Sequence, residues 1–291
     1  MEPSMIFTAV GAMGGLTVVL SIFLVLANKK LAVFEDPRID DVEDLLPHAN
    51  CGACGLPGCR PFAEALVNEE VAPSKCTVSS PEGLELIAEY LGVDVGAQEK
   101  LVARLACAGG NHVARQQVNY AGMKSCRAAA LVAGGGKKCQ WGCLGLGDCE
   151  VACDFDAIYM DPFSIPVVME DKCTACNACV EICPKDLFSL QPQDERLWVA
   201  CKNLQEGNQV LESCEVGCTA CGRCAMDAPE GAINMVSNLP RINPNKANLN
   251  QVPIQRCPTG AIVWLDKDNG PIKGPDATII TRRSPLPVEL D

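Results

Sequence analysis

The chain has room for two or three small domains, and its cysteine content is its most unusual feature. It has 291 residues, 48% of them hydrophobic and 21% charged, an ordinary composition for a folded chain. It contains 20 cysteines but only two histidines, His48 and His112. This excludes sites built from several imidazoles, such as most catalytic zinc sites and Rieske clusters. The net charge of −12 argues against a nucleic-acid-binding protein, because such proteins normally present a basic surface.

The N-terminal segment is predicted to cross a membrane. Met5 to Ala27 carries no charged residue, and a helix of about 20 residues spans a bilayer. A secretory signal would have a basic start and a shorter apolar core, whereas Glu2 is the only charge before this span. A cleaved signal and a buried soluble helix are the alternatives. Lys29 and Lys30 follow the span, so the positive-inside rule places the rest of the chain in the cytoplasm.

This topology predicts a single-pass protein of the inner (cell) membrane, with its N-terminus outside. The compartment that holds the cysteines is then reducing. Cysteines in such a compartment indicate metal or redox centres rather than disulfides.

Most of the cysteines fall into three spaced groups. The first is Cys51, Cys54, Cys59 and Cys76; the second is Cys139, Cys143, Cys149 and Cys153, followed by Cys173, Cys176, Cys179 and Cys183; the third is Cys218, Cys221, Cys224 and Cys257. Four cysteines stand apart: Cys107, Cys126, Cys201 and Cys214. Because they include no close-spaced pair, we interpret these four as buried structural thiols, with a fifth cluster as the alternative.

The second group predicts two [4Fe–4S] clusters. The run from Cys173 to Cys183, followed by Pro184, has the bacterial ferredoxin spacing, in which the fourth cysteine serves the other cluster. The partner run from Cys139 to Cys153 is looser, and Asp154 stands in place of proline. The predicted sets are Cys139, Cys143, Cys149 and Cys183 for one cluster, and Cys153, Cys173, Cys176 and Cys179 for the other. Zinc is the less favoured alternative, because two zinc sites do not need this crossed arrangement.

An internal repeat predicts two tandem modules. The matching segments are CDFDAI from Cys153, CPKDLF from Cys183, APEGAI from Ala228 and CPTGAI from Cys257. In the second module, Cys218, Cys221, Cys224 and Cys257 make one complete cluster set. The twin set lacks every ligand, since its places are held by Ala228, Ala247, Asn250 and Pro253. We expect Leu249, Val252 and Ile254 to fill the volume of the missing cluster.

The first group predicts a separate site, either a cluster or a zinc ion. Its CGACGLPGC loop is rich in glycine, which lets the backbone fold closely around a cluster. The following segment is predicted to form an amphipathic helix with Phe62 and Leu66 inward, and Cys76 closes the site. His48 beside the loop is interpreted as a hydrogen-bond donor or a surface residue rather than a ligand.

Together these patterns predict an α+β protein with one transmembrane helix, a small iron–sulfur domain and two tandem bacterial-ferredoxin-like modules. The predicted bounds are 1–30 for the anchor, 36–95 for the N-terminal [4Fe–4S] domain, 96–136 for a helical connector, 137–192 for the two-cluster module, 193–265 for the degenerate one-cluster module and 266–291 for a flexible tail. Four [4Fe–4S] clusters and about 16 irons follow from four thiolates per cluster.

The order of these motifs resembles the B-subunit family of the Rnf electron-transport complex. The resemblance rests on CGACGLPGCRPFAEAL, on KKCQWGCLGLGDCEVACDFDAI with the run at Cys173, and on the N-terminal anchor, and it covers roughly residues 1 to 265. It implies a membrane complex that moves electrons between ferredoxin and NAD⁺ and couples this transfer to Na⁺ or H⁺ translocation. The chain departs from the family pattern at the four positions of the missing twin set.

The resemblance implies an electron relay with no catalytic residues of its own, in which no flavin or NAD is bound by this chain. Implied partners are the other subunits of the complex, soluble ferredoxin and the lipid bilayer, and no nucleic acid. An electron-transfer subunit of another membrane enzyme, such as a hydrogenase, and a zinc-bound regulatory protein are the alternatives. Because ferredoxins are commonly acidic, Arg60 or the pair Lys137 and Lys138 is a candidate basic patch for docking.

Overall fold

A computed structural model describes residues 3–31, 35–97, 99–246, 250–267 and 269–288 of the chain. The α-helices are α1 (Pro3–Leu31), α2 (Arg38–Leu45), α3 (Cys59–Val67), α4 (Pro81–Leu91), α5 (Cys126–Leu131), α6 (Asp148–Val151), α7 (Ala178–Ile182), α8 (Gly207–Leu211) and α9 (Arg223–Asp227). The strands are β1 (Leu101–Leu105), β2 (Ile158–Met160), β3 (Pro166–Val168), β4 (Phe188–Pro192), β5 (Leu197–Val199), β6 (Ile233–Val236), β7 (Leu239–Ile242), β8 (Ile262–Asp266) and β9 (Gly270–Ile272). The chain is therefore a mixed helix and strand protein, as predicted.

The first helix is long and apolar enough to cross a bilayer. Within α1, residues 10–30 have a mean hydropathy of 2.3 and are unburied by the rest of the chain. Large apolar side chains such as Phe7, Phe23 and Leu24 are about 70% exposed. A surface of this kind is covered by lipid or protein in a stable structure. No other helix in the described part of the chain meets the same criteria.

Helices α2, α3 and α4 pack together around a core of their own. Val42, Phe62, Leu66 and Ile87 are almost fully buried in it. The predicted inward orientation of Phe62 and Leu66 is therefore confirmed. Helix α4 begins at a cap in which the hydroxyl of Ser80 accepts from the N–H of Gly83 (3.1 Å), which satisfies one of the free donors of the first turn.

The internal repeat has a common backbone geometry. In each segment the fourth residue has a left-handed backbone, and the sixth begins a strand whose first side chain is buried. The left-handed residues are Asp156 (φ 49°), Asp186 (φ 49°), Gly231 (φ 72°) and Gly260 (φ 65°). The buried strand residues are Ile158, Phe188, Ile233 and Ile262. The four similar sequence segments therefore form the same type of turn.

The order of elements also repeats along the chain. The antiparallel pair β1–β4 encloses the hairpin β2–β3, and the antiparallel pair β5–β8 encloses the hairpin β6–β7. Strand β9 extends the second pair. The two units meet where the indole N–H of Trp198 in β5 donates to the carbonyl of Leu105 in β1 (2.7 Å). The backbone N–H of Ala108 also donates to the carbonyl of Ala200 (3.0 Å).

Two of the predicted segments carry structure that their descriptions did not include. The predicted helical connector, 96–136, contains β1, which pairs with β4 and so belongs to the sheet of the first unit. The predicted flexible tail, 266–291, contacts the body at several points. Strand β9 pairs with β8, the N–H of Leu286 donates to the carbonyl of Asn111 (2.8 Å), and Arg282 pairs with Glu215. The polar and proline-rich composition did not reveal these contacts because they depend on partners outside the segment.

The region of the missing twin set is filled only in part as predicted. Ile254 is 1% exposed and packs in the core beside Cys257. Pro253 is buried too, but Val252 is 45% exposed. Ala247 and Leu249 lie outside the described residues. A short 3-10 turn, Val252–Ile254, carries these residues.

Candidate iron–sulfur centres

None of the 20 cysteines forms a disulfide, and each of them lines one of five cavities. Every cavity is lined by four cysteines. We name them by position. The N-terminal cavity holds Cys51, Cys54, Cys59 and Cys76; the first dicluster cavity holds Cys153, Cys173, Cys176 and Cys179; the second dicluster cavity holds Cys126, Cys143, Cys149 and Cys183; the C-terminal cavity holds Cys218, Cys221, Cys224 and Cys257; the central cavity holds Cys107, Cys139, Cys201 and Cys214.

The N-terminal cavity forms between the glycine-rich loop and α3. Asn50 holds the loop in place, because its side-chain carbonyl accepts from the N–H of Cys59 at the start of α3 (2.8 Å). A Cβ atom on Gly58 would lie 2.9 Å from this oxygen, so glycine is needed there for space. Cys76 comes from the segment after α3, and its sulfur accepts from the Ser79 hydroxyl (3.2 Å). The predicted set of the first group meets in this cavity.

The first dicluster cavity also contains its predicted set. The loop that carries Cys173 and Cys176 has left-handed backbones at Ala175 (φ 56°) and Asn177 (φ 72°). Backbone N–H groups face the sulfurs: Ala157 donates to Cys153 (3.3 Å) and Ala103 donates to Cys173 (3.4 Å). Such bonds stabilise thiolate ligands and help to set cluster potential.

The lining of the second dicluster cavity differs from the predicted set in one cysteine. Cys143, Cys149 and Cys183 line it as expected, but Cys126 at the start of α5 occupies the fourth place instead of Cys139. The carboxylate of Asp148 accepts from the hydroxyl of Ser125 (2.9 Å), which fixes the start of α5 beside α6. Burial and the charge of nearby Cys126 together raise the pKa of Cys149 to about 12.

Cys139 is directed away from this cavity by the local backbone. The N–H of Gly142 donates to the carbonyl of Cys139 (3.2 Å), which closes a tight turn before Cys143. The side-chain amide of Asn203 donates to the Cys139 sulfur (3.6 Å) in the central cavity. The longer spacing of this run, with three residues where the ferredoxin run has two, therefore separates its first two cysteines into different cavities.

The C-terminal cavity has the backbone geometry of the first dicluster cavity. Its loop has left-handed residues at Ala220 (φ 59°) and Gly222 (φ 70°), in the places that Ala175 and Asn177 hold in the other loop. Cys224 and Cys257 are buried, whereas Cys221 is exposed. The predicted set of the third group meets in this cavity.

The central cavity contains the cysteines that the sequence did not place. Cys107 follows β1, Cys139 precedes the turn at Gly142, Cys201 follows β5 and Cys214 follows α8. The backbones of residues 113–115 and 213–215 pair here through the bridge between Ala114 and Cys214. Each cysteine comes from a different segment, so no spacing rule could group them.

The donor sets fit four-iron clusters better than single ions. Among the described residues, no three His, Cys, Asp or Glu side chains lie close enough together to hold one metal ion. Four cysteines instead surround one shared cavity. Thiolates in sets of four are the ligands of [4Fe–4S] clusters.

Other residues singled out in the sequence lie outside these sets. His48 is exposed with a left-handed backbone (φ 51°), and the ring of His112 packs on Phe163 with centroids 3.8 Å apart. Lys137 is buried at the central cavity, where its Nζ donates to the carbonyls of Gly109 and Cys143 (2.5 Å each). Arg60 pairs with three carboxylates, those of Glu35, Asp40 and Glu43. These contacts argue against Lys137 and Arg60 as parts of a basic docking patch.

Two family models match the chain. Residues 46–78 match the model described as "Putative Fe-S cluster", which covers the N-terminal cavity. Residues 138–196 match the "4Fe-4S dicluster domain". The second match includes Cys139 and begins after Cys126.

Curated relatives are similar over most of the chain. The chain is 37% identical to the B subunit of the Na(+)-translocating ferredoxin:NAD(+) oxidoreductase complex of Acetobacterium woodii, over 88% of this chain and 77% of that protein. It is 35% identical to the B subunit of the ion-translocating oxidoreductase complex of Methanosarcina acetivorans, over 89% and 98%. It is 36% identical to the B subunit of the proton-translocating ferredoxin:NAD(+) oxidoreductase complex of Clostridium ljungdahlii, over 88% and 89%. The chain therefore belongs to the family of B subunits of ion-translocating oxidoreductase complexes, the Rnf family.

Proposed function

We propose that this chain is a membrane-anchored relay that takes electrons from reduced ferredoxin, or returns them, and passes them towards NAD⁺ within an ion-translocating complex. The observation that carries the proposal is the succession of cysteine-lined cavities along the chain. [4Fe–4S] clusters supply one-electron transfer when bound. The work of the chain is to hold the thiolates, to direct N–H groups at the sulfurs and to exclude water.

The proposed ligand sets follow the cavities. Those of the N-terminal, first dicluster and C-terminal cavities are the predicted sets, and the second dicluster cavity takes Cys126 in place of Cys139. The crossed arrangement of ferredoxins is kept, because Cys183 joins Cys143 and Cys149 while Cys153 joins the run from Cys173. The repeated turns and strand pairs support two tandem ferredoxin-like modules.

One end of the proposed relay joins the N-terminal cavity to the dicluster unit. Burial is the main cause that raises the pKa of Cys176, and the charges of Cys153 and Cys51 add to it, which supports a position of the N-terminal cavity near the first dicluster cavity. The two dicluster cavities share one apolar core that contains Cys149 and Cys179. Close cavities of this kind allow electron transfer between neighbouring clusters.

We further propose that α1 lies in the inner membrane with the iron–sulfur domains on the cytoplasmic side. Lys29 and Lys30 in the last turn of the helix support this orientation. A reporter enzyme fused after Asp291 should be active in the cytoplasm. Activity on the opposite side would contradict the orientation.

Soluble ferredoxin is the proposed electron donor, and the C-terminal cavity is one place where a partner can approach a cluster. Cys221 there is exposed, whereas Cys224 and Cys257 in the same cavity are buried. Electron exchange with a soluble partner needs at least one cluster near the surface. The other subunits of the complex are the proposed partners on the remaining faces.

Mixing with ferredoxin tests the relay. Anaerobically purified full-length protein should be brown, and its absorption near ~400 nm, typical of thiolate-bound clusters, should bleach when reduced ferredoxin is added. A matched control lacks the first dicluster ligands through Cys173→Ala and Cys176→Ala together, and should show a smaller bleach. Protein that contains zinc instead of iron, or iron that ferredoxin does not reduce, would refute the proposed function.

A further inference from the structure

We infer that Cys107, Cys139, Cys201 and Cys214 bind a fifth [4Fe–4S] cluster, which joins the dicluster unit to the C-terminal cluster. The inference rests on the proposed function, because it adds a member to the same relay. It replaces the sequence-based interpretation of three of these cysteines as structural thiols and of Cys139 as a dicluster ligand.

The central cavity has the same kind of lining as the other four. Four cysteines line it, as four cysteines line the N-terminal cavity. Single structural thiols are normally buried among apolar neighbours as small hydrophobic groups. Four cysteines that converge on one cavity, as in the ferredoxin-type sites, therefore indicate a cluster.

Hydrogen-bond donors are directed at the central sulfurs. The N–H groups of Gly109 and Cys143 both donate to the Cys107 sulfur (3.4 Å each). The N–H of Cys218 donates to Cys201 (3.3 Å), and the amide of Asn203 donates to Cys139 (3.6 Å). The same type of donor faces Cys153 and Cys173 in the first dicluster cavity. These bonds favour thiolates over thiols.

The cavity also has a glycine close to its sulfurs, Gly109, and a buried cation, Lys137. A Cβ atom on Gly109 would lie 3.2 Å from the Cys214 sulfur and 3.6 Å from that of Cys107. Lys137 lines the cavity and is 8% exposed. A lysine buried beside four thiols is compensated when those thiols carry negative charge.

The position of the cavity explains how the relay can be continuous. Cys143 of the second dicluster cavity donates through its N–H to Cys107, and Cys218 of the C-terminal cavity donates through its N–H to Cys201. The central cavity is thus in hydrogen-bond contact with a site on each side. All 20 cysteines are then assigned, four to each of five sites.

Iron analysis of the full-length protein tests this inference. Protein purified anaerobically in detergent and reconstituted with iron and sulfide should contain about 20 irons per chain, because each cluster holds four. Cys214→Ala and Cys201→Ala should each lose about four irons, and the double variant should lose the same four rather than eight. Cys257→Ala should lose a different four, so its combination with Cys214→Ala should lose about eight. Ser213→Ala, a buried change next to Cys214 that touches no ligand, should keep the full complement.

Each outcome decides the question. A wild-type chain with about 16 irons, or one whose iron content is unchanged by Cys214→Ala, would overturn the fifth cluster. One zinc per chain that disappears in Cys214→Ala would overturn its identity as a cluster. The wild-type iron content settles the count even if a cysteine variant fails to fold. In all these cases ferredoxin would still reduce the other four clusters. Failure of this inference is therefore distinguishable from failure of the proposed function.

Discussion

At the residue scale, the proposed role of each cysteine depends on which cavity its backbone directs the sulfur towards. Cys126 and Cys139 show this most clearly, because Cys139 is nearer in sequence to Cys143 but lines a different cavity. Because Cys126 takes the place that was predicted for Cys139, substitutions of these two cysteines are expected to remove different clusters. It leaves the number of ligands in the dicluster unit the same.

Cys126→Ala tests the corrected ligand set. We expect this variant to lose the cluster of the second dicluster cavity and to keep the cluster bound by Cys173, Cys176 and Cys179. Electron paramagnetic resonance (EPR) of the reduced protein should match that of Cys183→Ala. Cys139→Ala is the matched control and should give a different spectrum. Identical spectra for Cys126→Ala and the wild type would restore Cys139 as the ligand.

Lys137→Met tests whether buried charge sets cluster potentials. A positive charge stabilises the more negative, reduced state of a nearby cluster, so its removal should lower a midpoint potential by tens of millivolts, on the order of 1 kcal/mol. Redox titration followed by EPR would measure the shift. Lys137→Arg keeps the charge and should restore the potential. Lys100 is exposed and lies away from the cavities, so solvent screens its charge and Lys100→Met should change the midpoint potential little. Equal shifts of the potential in Lys137→Met and Lys100→Met would contradict this role of Lys137.

At the element scale, the repeated turn is what the two units share. The left-handed residue, the buried residue and the strand follow each other in all four segments, whether or not a cysteine begins the segment. In the APEGAI segment, the turn persists at Gly231 although Ala228 replaces the ligand. The backbone geometry therefore does not depend on the cluster ligand.

Gly274→Ala should detach the C-terminal segment from the body. A Cβ atom on Gly274 would lie 2.0 Å from the carbonyl oxygen of Ile254, which is too close for the observed packing. We expect faster trypsin cleavage at Lys273, Arg282 and Arg283, measured by mass spectrometry. Gly83→Ala is the control, because its Cβ would meet only the Ser80 hydroxyl at 3.5 Å. Unchanged cleavage in Gly274→Ala would show that the segment does not depend on this contact.

Local patterns predicted the parts of the sites that one segment forms. The regular run at Cys173 and the loop at Cys51 place three ligands within a few residues, and these sets meet in the structure. Cys126 is a single cysteine on a short helix, and its role depends on how α5 lies beside α6. The central set takes one residue from each of four segments, and only the pairing of those segments brings them together. The strand β1 was missed because its partner β4 is far along the chain.

At the scale of the whole molecule, we expect the anchor and the iron–sulfur domains to be separable. Helix α1 is unburied by the rest of the chain, and the first core begins at α2. Deletion of residues 1–30 should give a soluble protein with the same iron content per chain. Gel filtration without detergent and iron analysis would measure this. Aggregation together with loss of iron would show that the helix also supports the fold.

The long span of the central set has a consequence for assembly in the cell. Cys107 and Cys214 enclose all the ligands of the second dicluster cavity and all those of the first. A cofactor bound by both residues would close the long loop between them. In theory, closing a long loop stabilises a chain more than closing a short one. The ribosome would release three complete ligand sets before the central set is complete. When iron is scarce, chains without the central cluster would keep the loop between Cys107 and Cys214 unclosed. We expect proteases to remove these subunits, in which electron transfer to the C-terminal cluster is interrupted.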